Sequence, residues 1–266
     1  MSDHNAPDLN PTPGERFTHF LKRKDVLETL GWAVFYTAGF VVLGGKFYTK
    51  WMPAMMSTDM RSIERLMVIF TWIGAPVCGF VLSIATYTFR HGTRGDTPPE
   101  DGPAIRTNKL SIALFGVASS ILALVAILYG LVELNSASAA AAKDAPNAMV
   151  VEVTGSQWVW SFNYPAQGVT SNELMLPINK PVIFKIVSED VNHSFWPVQL
   201  GVKADANRLQ TTEVQTTPDR LGAIDVKCAE LCGLYHAYME TSGAVQTPAD
   251  FASWVTSIQA TGGVQQ

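Results

Sequence analysis

Two cysteines, a histidine and a methionine fall within twelve positions of this 266-residue chain, in Cys228-Ala229-Glu230-Leu231-Cys232-Gly233-Leu234-Tyr235-His236-Ala237-Tyr238-Met239-Glu240. Their spacing is C-x3-C-x3-H-x2-M. Thiolate and thioether are soft donors, and mixed with imidazole they select copper over harder cations. Two cysteines so close can each bridge a pair of metal ions, where a mononuclear blue-copper loop offers one. A loop this tight needs a second imidazole from elsewhere in the fold. Of the five histidines, His4 and His19 lie in a polar N-terminal stretch and His91 follows an apolar run, which leaves His193 in Asp190-Val191-Asn192-His193-Ser194-Phe195. His193, Cys228, Cys232, His236 and Met239 thus form a complete ligand set for a dinuclear copper centre.

Other chemistries fit the residues less well. A closed Cys2His2 zinc site has no use for Met239. A disulfide between Cys228 and Cys232 requires an oxidising compartment and leaves both histidines unexplained. A Sco-like copper chaperone also uses C-x3-C with a distant histidine. It usually carries proline after the second cysteine, however, and its thioredoxin-like fold needs alternating strands and helices, whereas Gly233 follows here.

The loop Cys-Ala-Glu-Leu-Cys-Gly-x-x-His-x-x-Met resembles the dinuclear copper (CuA) signature of subunit II of haem-copper cytochrome c oxidases. Asp190-Val191-x-His193-Ser194-Phe195, Leu200-Gly201-Val202-Lys203-Ala204-Asp205 and Gly155-Ser156-Gln157-Trp158-Val159-Trp160-Ser161-Phe162 are similar to that family as well. The resemblance runs from about Arg65 to about Val255, specific in the last domain and weaker in the apolar part. It implies a cupredoxin-like Greek-key barrel carrying the copper, in a chain that accepts electrons from a cytochrome c or a similar extracytoplasmic donor. The electrons then pass to haem in subunit I for oxygen reduction, with subunit III as a further partner. The same copper domain would serve a nitric oxide reductase, and a membrane-anchored copper-delivery protein is a third, non-enzymatic reading. No nucleic-acid partner is expected.

Within that resemblance, Cys228 and Cys232 are expected as bridging thiolates, His193 and His236 as terminal imidazoles, and Met239 as a weak axial ligand. The resemblance implies the backbone carbonyl of Glu230 as the second axial ligand and its side chain as a magnesium ligand at the border with subunit I. It also implies Trp158 as the exposed tryptophan through which electrons reach copper. Strand alternation groups Trp158, Trp160 and Phe162 on one side, with Trp160 in the core.

Composition bounds the chain independently. It is 47% hydrophobic and 16% charged, which suits a partly membrane-embedded protein. Leu66–Phe89 and Leu110–Val132 are uncharged and long enough to span a bilayer, for which about 20 residues are needed. Thr29–Gly45 is shorter and can span if Lys46 snorkels and Phe47 and Tyr48 sit at the interface. Three helices, one more than the resembling family commonly has, are therefore expected at about 29–48, 66–89 and 110–132. They follow a polar tail over 1–27 that shows no cleavable signal.

The tail carries Arg16, Lys22, Arg23 and Lys24, and the second loop Arg90, Arg94, Arg106 and Lys109. The first loop is also basic, with Lys46, Lys50, Arg61 and Arg65, but the segment after the third span holds only Lys143 over more than forty residues. The positive-inside rule then puts the N-terminus in the cytoplasm and the copper domain outside a bacterial-type plasma membrane.

Residues 135–147, rich in Ser and Ala, read as a linker, and 148–266 as the extracytoplasmic domain. In it, Met149–Thr154, Val182–Val187 and Ala223–Lys227 carry strand composition. A closing helix should begin at Thr247, with Pro248 at its first position and Asp250 completing a capping-box-like pattern; Phe251, Trp254 and Ile258 share one face. From Ser136 onward the net charge is −5, able to steer a basic donor. Yet 163–172 contains no acid where the family often has several, leaving Glu189 and Asp190. No acid stands near Lys109 either, so the family's glutamate for proton passage has no counterpart. Cys78, alone in an apolar span, reads as a packing residue.

Overall fold

A computed structural model describes residues 22–92 and 107–265. His4, His19 and Arg16 in the N-terminal tail, and Arg94 and Arg106 in the second loop, lie outside the described residues, as do the side chains of Phe47 and Tyr48. Among the described residues, three helices are long and apolar enough to cross a membrane: α1 (Lys24–Trp51), α2 (Thr58–His91) and α3 (Lys109–Asp144). The chain divides into two compact units.

The first unit holds α1 and α2 from Arg65 onward. Here Gly79 permits a close approach of the two helices: an added Cβ would meet the Ala33 carbonyl oxygen at 2.9 Å. Small residues serve this purpose between apolar helices. Polar contacts finish the pair. Tyr36 and Thr86 hydroxyls lie 2.8 Å apart, and Glu28 accepts from Arg90 Nε at 3.2 Å and sits 2.9 Å from His91 Nε2.

The second unit holds α3, the β domain and Pro53–Glu64. Side chains of α3 are exposed over 109–132. Where the sequence reads as a linker over 135–147, α3 continues to Asp144 and a 3-10 turn, Ala145–Asn147, follows. Five of the eight residues 136–143 are alanine, the strongest helix former, which accounts for the continuation.

The β domain is cupredoxin-like, with two facing sheets built from β1 (Met149–Ser156), β2 (Val159–Tyr164), β3 (Val169–Ser171), β4 (Leu174–Pro177), β5 (Val182–Ser188), β6 (His193–Pro197), β7 (Ala204–Ala206), β8 (Thr212–Thr216), β9 (Gly222–Cys228), β10 (Glu240–Gln246) and β11 (Val264–Gln265). One sheet has the order β11-β3-β2-β1-β5-β8 and the other β4-β10-β9-β6-β7. Alternation builds the core. Val151, Val153, Phe162, Phe184, Ile186, Ile224 and Val226 point inward from β1, β2, β5 and β9 and are fully buried. Phe195 of β6 sits among aromatic rings, 5.1 Å from Phe184 and 5.7 Å from Trp160 between centroids.

Helix α4 (Pro248–Ala260) closes the domain as its sequence predicts. Thr247 Oγ1 accepts from Asp250 N at 3.2 Å and donates to Asp250 Oδ2 at 2.7 Å, while Phe251 and Ile258 are buried and Trp254 packs against the same core.

Pro53–Glu64 is part of this domain's packing. Met56 is buried in the core. Its N–H donates to Gln199 O at 3.0 Å, and its carbonyl accepts from Asp219 N at 2.9 Å. Ser57 Oγ donates to Leu200 O at 2.6 Å, Thr216 Oγ1 donates to Asp59 Oδ2 at 2.6 Å, and Arg61 forms a two-pronged ion pair with Asp219. Nothing in the apolar periodicity of α2 announces this seat.

Candidate metal centre

Adjacent antiparallel strands β9 and β10 are joined by a loop over 229–239, closed at its base by Cys228 N–H donating to Met239 O at 3.0 Å. β6 pairs with β9 so that Phe195 stands opposite Cys228. That register brings His193, at the start of β6, to the end of β9 where the cysteines lie. A further bond, Ala229 N–H to Ser194 O at 2.9 Å, locks the loop to β6.

The donor atoms converge. Cys228 Sγ and Cys232 Sγ are 3.8 Å apart. His193 Nδ1 is 3.9 Å from Cys228 Sγ, and His236 Nδ1 is 3.6 Å from Cys232 Sγ. Met239 Sδ lies 3.7 Å from Cys232 Sγ, and the Glu230 carbonyl oxygen 3.2 Å from Cys228 Sγ. One imidazole and the two thiols have their donor atoms within 4.8 Å of one another. His193, Cys232 and Met239 are buried, Cys228 and His236 partly so, and the Glu230 carboxylate is exposed. All the loop residues expected as copper ligands are therefore brought together with His193. Soft sulfur and imidazole in one half-dry pocket fit copper.

The electrostatics agree with a site that needs cations. Burial pushes the Cys232 thiol up to about 12, and the neighbouring Cys228 adds to the rise. Burial thus disfavours a bare thiolate at Cys232, and a metal that binds it displaces its proton.

Behind the ligands stands Asp190, whose partner role the sequence does not announce. Its Oδ1 lies 2.8 Å from His193 Nε2, its Oδ2 accepts from Gln157 N–H at 2.7 Å, and Val191 N–H donates to Oδ1 at 2.6 Å. Burial works to raise the Asp190 carboxyl, but these hydrogen bonds outweigh it and hold the group below the ordinary carboxylate range. The D-x-x-H spacing was the available signal.

Trp158 departs from the expected stripe. β1 ends at Ser156 and β2 begins at Val159, so Trp158 occupies the turn between them and only Trp160, Phe162 and Tyr164 form the buried row. In that turn Trp158 is half-buried, and its Nε1–H donates to Cys232 O at 3.2 Å, beside Gln157 Nε2–H at 2.8 Å on the same oxygen. Gly233 makes room for the indole. Its φ of +115° lies where side chains are rarely tolerated, and an added Cβ would come within 3.0 Å of Gln157 Nε2 and 3.4 Å of Trp158 Cζ2.

The chain matches known sequences over this domain. A family model described as cytochrome c oxidase subunit II, periplasmic domain, matches residues 166–245. Cytochrome c oxidase subunit 2 of Thermostichus vulcanus is 43% identical over 113 residues, which are 42% of this chain and 34% of that one. Its counterpart in Bacillus sp. strain PS3 is 37% identical over 120 residues, 42% of this chain and 34% of the other. The chain thus spans about a third of the length of these curated relatives. The crystal structure of the periplasmic domain of subunit II of cytochrome oxidase of Bradyrhizobium japonicum is 30% identical, covering 42% of this chain and 94% of that one, with a TM-score of 0.40. Through this domain, the chain belongs to the cytochrome c oxidase subunit II family.

Proposed function

We propose that the chain is the electron-accepting subunit of a respiratory terminal oxidase. Electrons arrive from a cytochrome c or a similar extracytoplasmic donor and leave for haem in the catalytic subunit I, where oxygen is reduced. The observation that carries this reading is the convergence of His193 Nδ1, Cys228 Sγ, Cys232 Sγ, His236 Nδ1 and Met239 Sδ on one pocket. A copper pair bound there supplies a one-electron carrier whose change of charge is shared between two ions.

The chain's own residues do the rest. Cys228, Cys232, His193 and His236 would hold the copper, with Met239 Sδ and the Glu230 carbonyl oxygen as further donors beside the sulfurs. Asp190 fixes the ring of His193, so that Nδ1 faces the sulfurs. Burial of Cys232 and Met239 keeps water off the ligand set and limits how far it can rearrange. Trp158 connects the exterior to Cys232 through its hydrogen bond to the Cys232 carbonyl. The exposed Glu230 carboxylate is available for magnesium at the border with subunit I.

Sidedness follows from two connections. Pro53–Glu64 is seated on the β domain, and α3 leads directly into it. These connections support a reading in which the α1–α2 connection and the end of α3 share a side of the membrane and the N-terminus lies on the other. With the basic residues counted, the β domain lies outside a bacterial-type plasma membrane, beside subunit I and subunit III.

The test is metal content and spectrum of the full chain in detergent. About two coppers per chain are expected from a bridging two-thiolate set, with a purple colour. One unpaired electron shared equally by two copper nuclei should give a seven-line hyperfine pattern in electron paramagnetic resonance. Zinc taken up in place of copper would overturn the reading. Haem content and the gas consumed by the purified complex then identify the acceptor.

A further inference from the structure

The candidate donors come from two places in the fold. His193 belongs to β6 and faces Cys228 at 3.9 Å, whereas His236 Nδ1 and Met239 Sδ lie within 3.7 Å of Cys232 Sγ on the loop. The base of that loop is fixed by Cys228 N–H to Met239 O and by Ala229 N–H to Ser194 O. Further along, His236 N–H donates to Gly233 O at 3.1 Å and Met239 N–H to His236 O at 3.2 Å. These bonds are internal and give the loop its shape. Its distance from His193 needs a hold from outside.

That hold comes from the turn between β1 and β2. Gln157 is exposed and would pass for a solvated turn residue. Its backbone N–H donates to Asp190 Oδ2 at 2.7 Å, and Asp190 Oδ1 lies 2.8 Å from His193 Nε2. Its side-chain Nε2–H donates to Cys232 O at 2.8 Å. The acceptor is a carbonyl, so the amide nitrogen is the end that must face it. One residue thus reaches His193 through a single intermediate and Cys232 directly. The turn itself is firmly based. Glu189 N–H donates to Gly155 O at 3.1 Å, and an added Cβ at Gly155 would meet His193 Cδ2 at 3.1 Å. Gly233 is bare where the Gln157 amide arrives, since a Cβ there would meet Nε2 at 3.0 Å.

We propose that Gln157 is a positioning residue of the metal centre. It sets the separation between the His193–Cys228 half and the Cys232–His236–Met239 half, holding Asp190 with its backbone and the Cys232 carbonyl with its side chain. This rests on the function proposed above and adds a residue that touches none of the donor atoms. Two effects follow from the geometry. Equal sharing of an electron requires the two halves to keep a fixed relation, and the amide tie supplies it. The N–H also turns the positive end of a dipole toward Cys232, which favours the more negative, reduced state of whatever the thiolates hold. Trp158 Nε1–H, at 3.2 Å from the same oxygen, keeps Cys232 O paired when the amide is gone. Variants at 157 therefore retain the fold.

The experiment uses the full chain in detergent and two variants that both keep the backbone N–H to Asp190. Gln157→Leu removes the amide, and Gln157→Glu keeps its shape but loses its donors at neutral pH. On the metal-free chain, amide hydrogen exchange over 233–239 should quicken about fivefold in both, the factor for one ordinary hydrogen bond. Exchange over β6 should not change. With copper added, Gln157→Leu should have a lower midpoint potential than the unmodified chain and an altered hyperfine pattern in electron paramagnetic resonance. A residue that only packed would leave Gln157→Glu exchanging like the unmodified chain. That result would overturn the proposal, as would an unchanged potential and hyperfine pattern in Gln157→Leu. Zinc taken up in place of copper by the unmodified chain would instead overturn the proposed function, while the exchange measurement still tests the tie between Gln157 and the loop.

Discussion

Asp190 Oδ1 lies 2.8 Å from His193 Nε2, while Nδ1 of the same ring faces Cys228 Sγ at 3.9 Å. The carboxylate thus decides which nitrogen a metal meets, and His193 itself has no exposed surface. Outer partners of this kind orient a ligating imidazole and raise its basicity. Asp190→Ala should lower copper affinity by about 10–100-fold, measured by competition with a chelator, and should alter the hyperfine splitting from the His193 side. Asp190→Asn, which keeps a hydrogen-bonding oxygen, should fall between the two. An unchanged affinity in Asp190→Ala would return this acid to the steering role that its place beside Glu189 invites.

Gly233 gives the second prediction. Its φ of +115° strains any side chain, and an added Cβ would press on Gln157 Nε2 at 3.0 Å and Trp158 Cζ2 at 3.4 Å. Gly233→Ala should cost about 1–3 kcal/mol, the range for a strained backbone position. The Trp158 indole should be displaced from the Cys232 carbonyl at the same time. Thermal unfolding and the near-ultraviolet signal of the tryptophan would read both effects. A variant as stable as the parent would mean that the loop opens to accept the methyl.

What the sequence made legible was local. The ligand loop is one short segment whose donors must converge because the chain between them is too short to let them part, and His193 followed from elimination among five histidines. Helix α4 was legible because Thr247, Pro248 and Asp250 act within one turn. Trp158 escapes the strand pattern because it sits in a two-residue turn, where the alternation is lost. The alanine-rich stretch after Asn135 looked like a linker by its low complexity, although alanine favours helix. Least legible was the seat of Met56 and Ser57. Ser57 bonds to Leu200, 143 positions away, and no periodicity signals a contact between a membrane-helix cap and a β domain.

That seat makes the third prediction. Met56 is buried in the β-domain core beside Gly222. Met56→Ala should destabilise the domain by about 2–5 kcal/mol, as for other large-to-small core changes. Breaking Arg61–Asp219 should matter much less, within about 1 kcal/mol, because the Arg61 side chain is 45% exposed. It follows that a fragment beginning at Ser136 lacks part of its own core. Such a fragment should unfold at a lower denaturant concentration than one fused to 53–64, and added peptide 53–64 should raise its midpoint in proportion to the logarithm of peptide concentration above its Kd. No effect of the peptide would mean that the domain closes over the missing side chain.

The last prediction joins that contact to the membrane. Pro53–Glu64 sits on the β domain, and α3 runs into the same domain through the turn Ala145–Asn147. If α1, α2 and α3 each cross, the N-terminus must lie on the side opposite the copper loop. A protease added to intact cells or spheroplasts should then cut the β domain and spare a tag placed before Met1. The alternative, α1 lying in the interface, meets an objection in its composition: an 18-residue window of Lys24–Lys46 averages a hydropathy of 1.6, and its packing against α2 through Ala33 and Gly79 runs along the helix pair. Exposure of the tag to protease from outside would nevertheless decide for that alternative, and it would leave the seat of Met56 intact while reversing the sidedness of α1 alone.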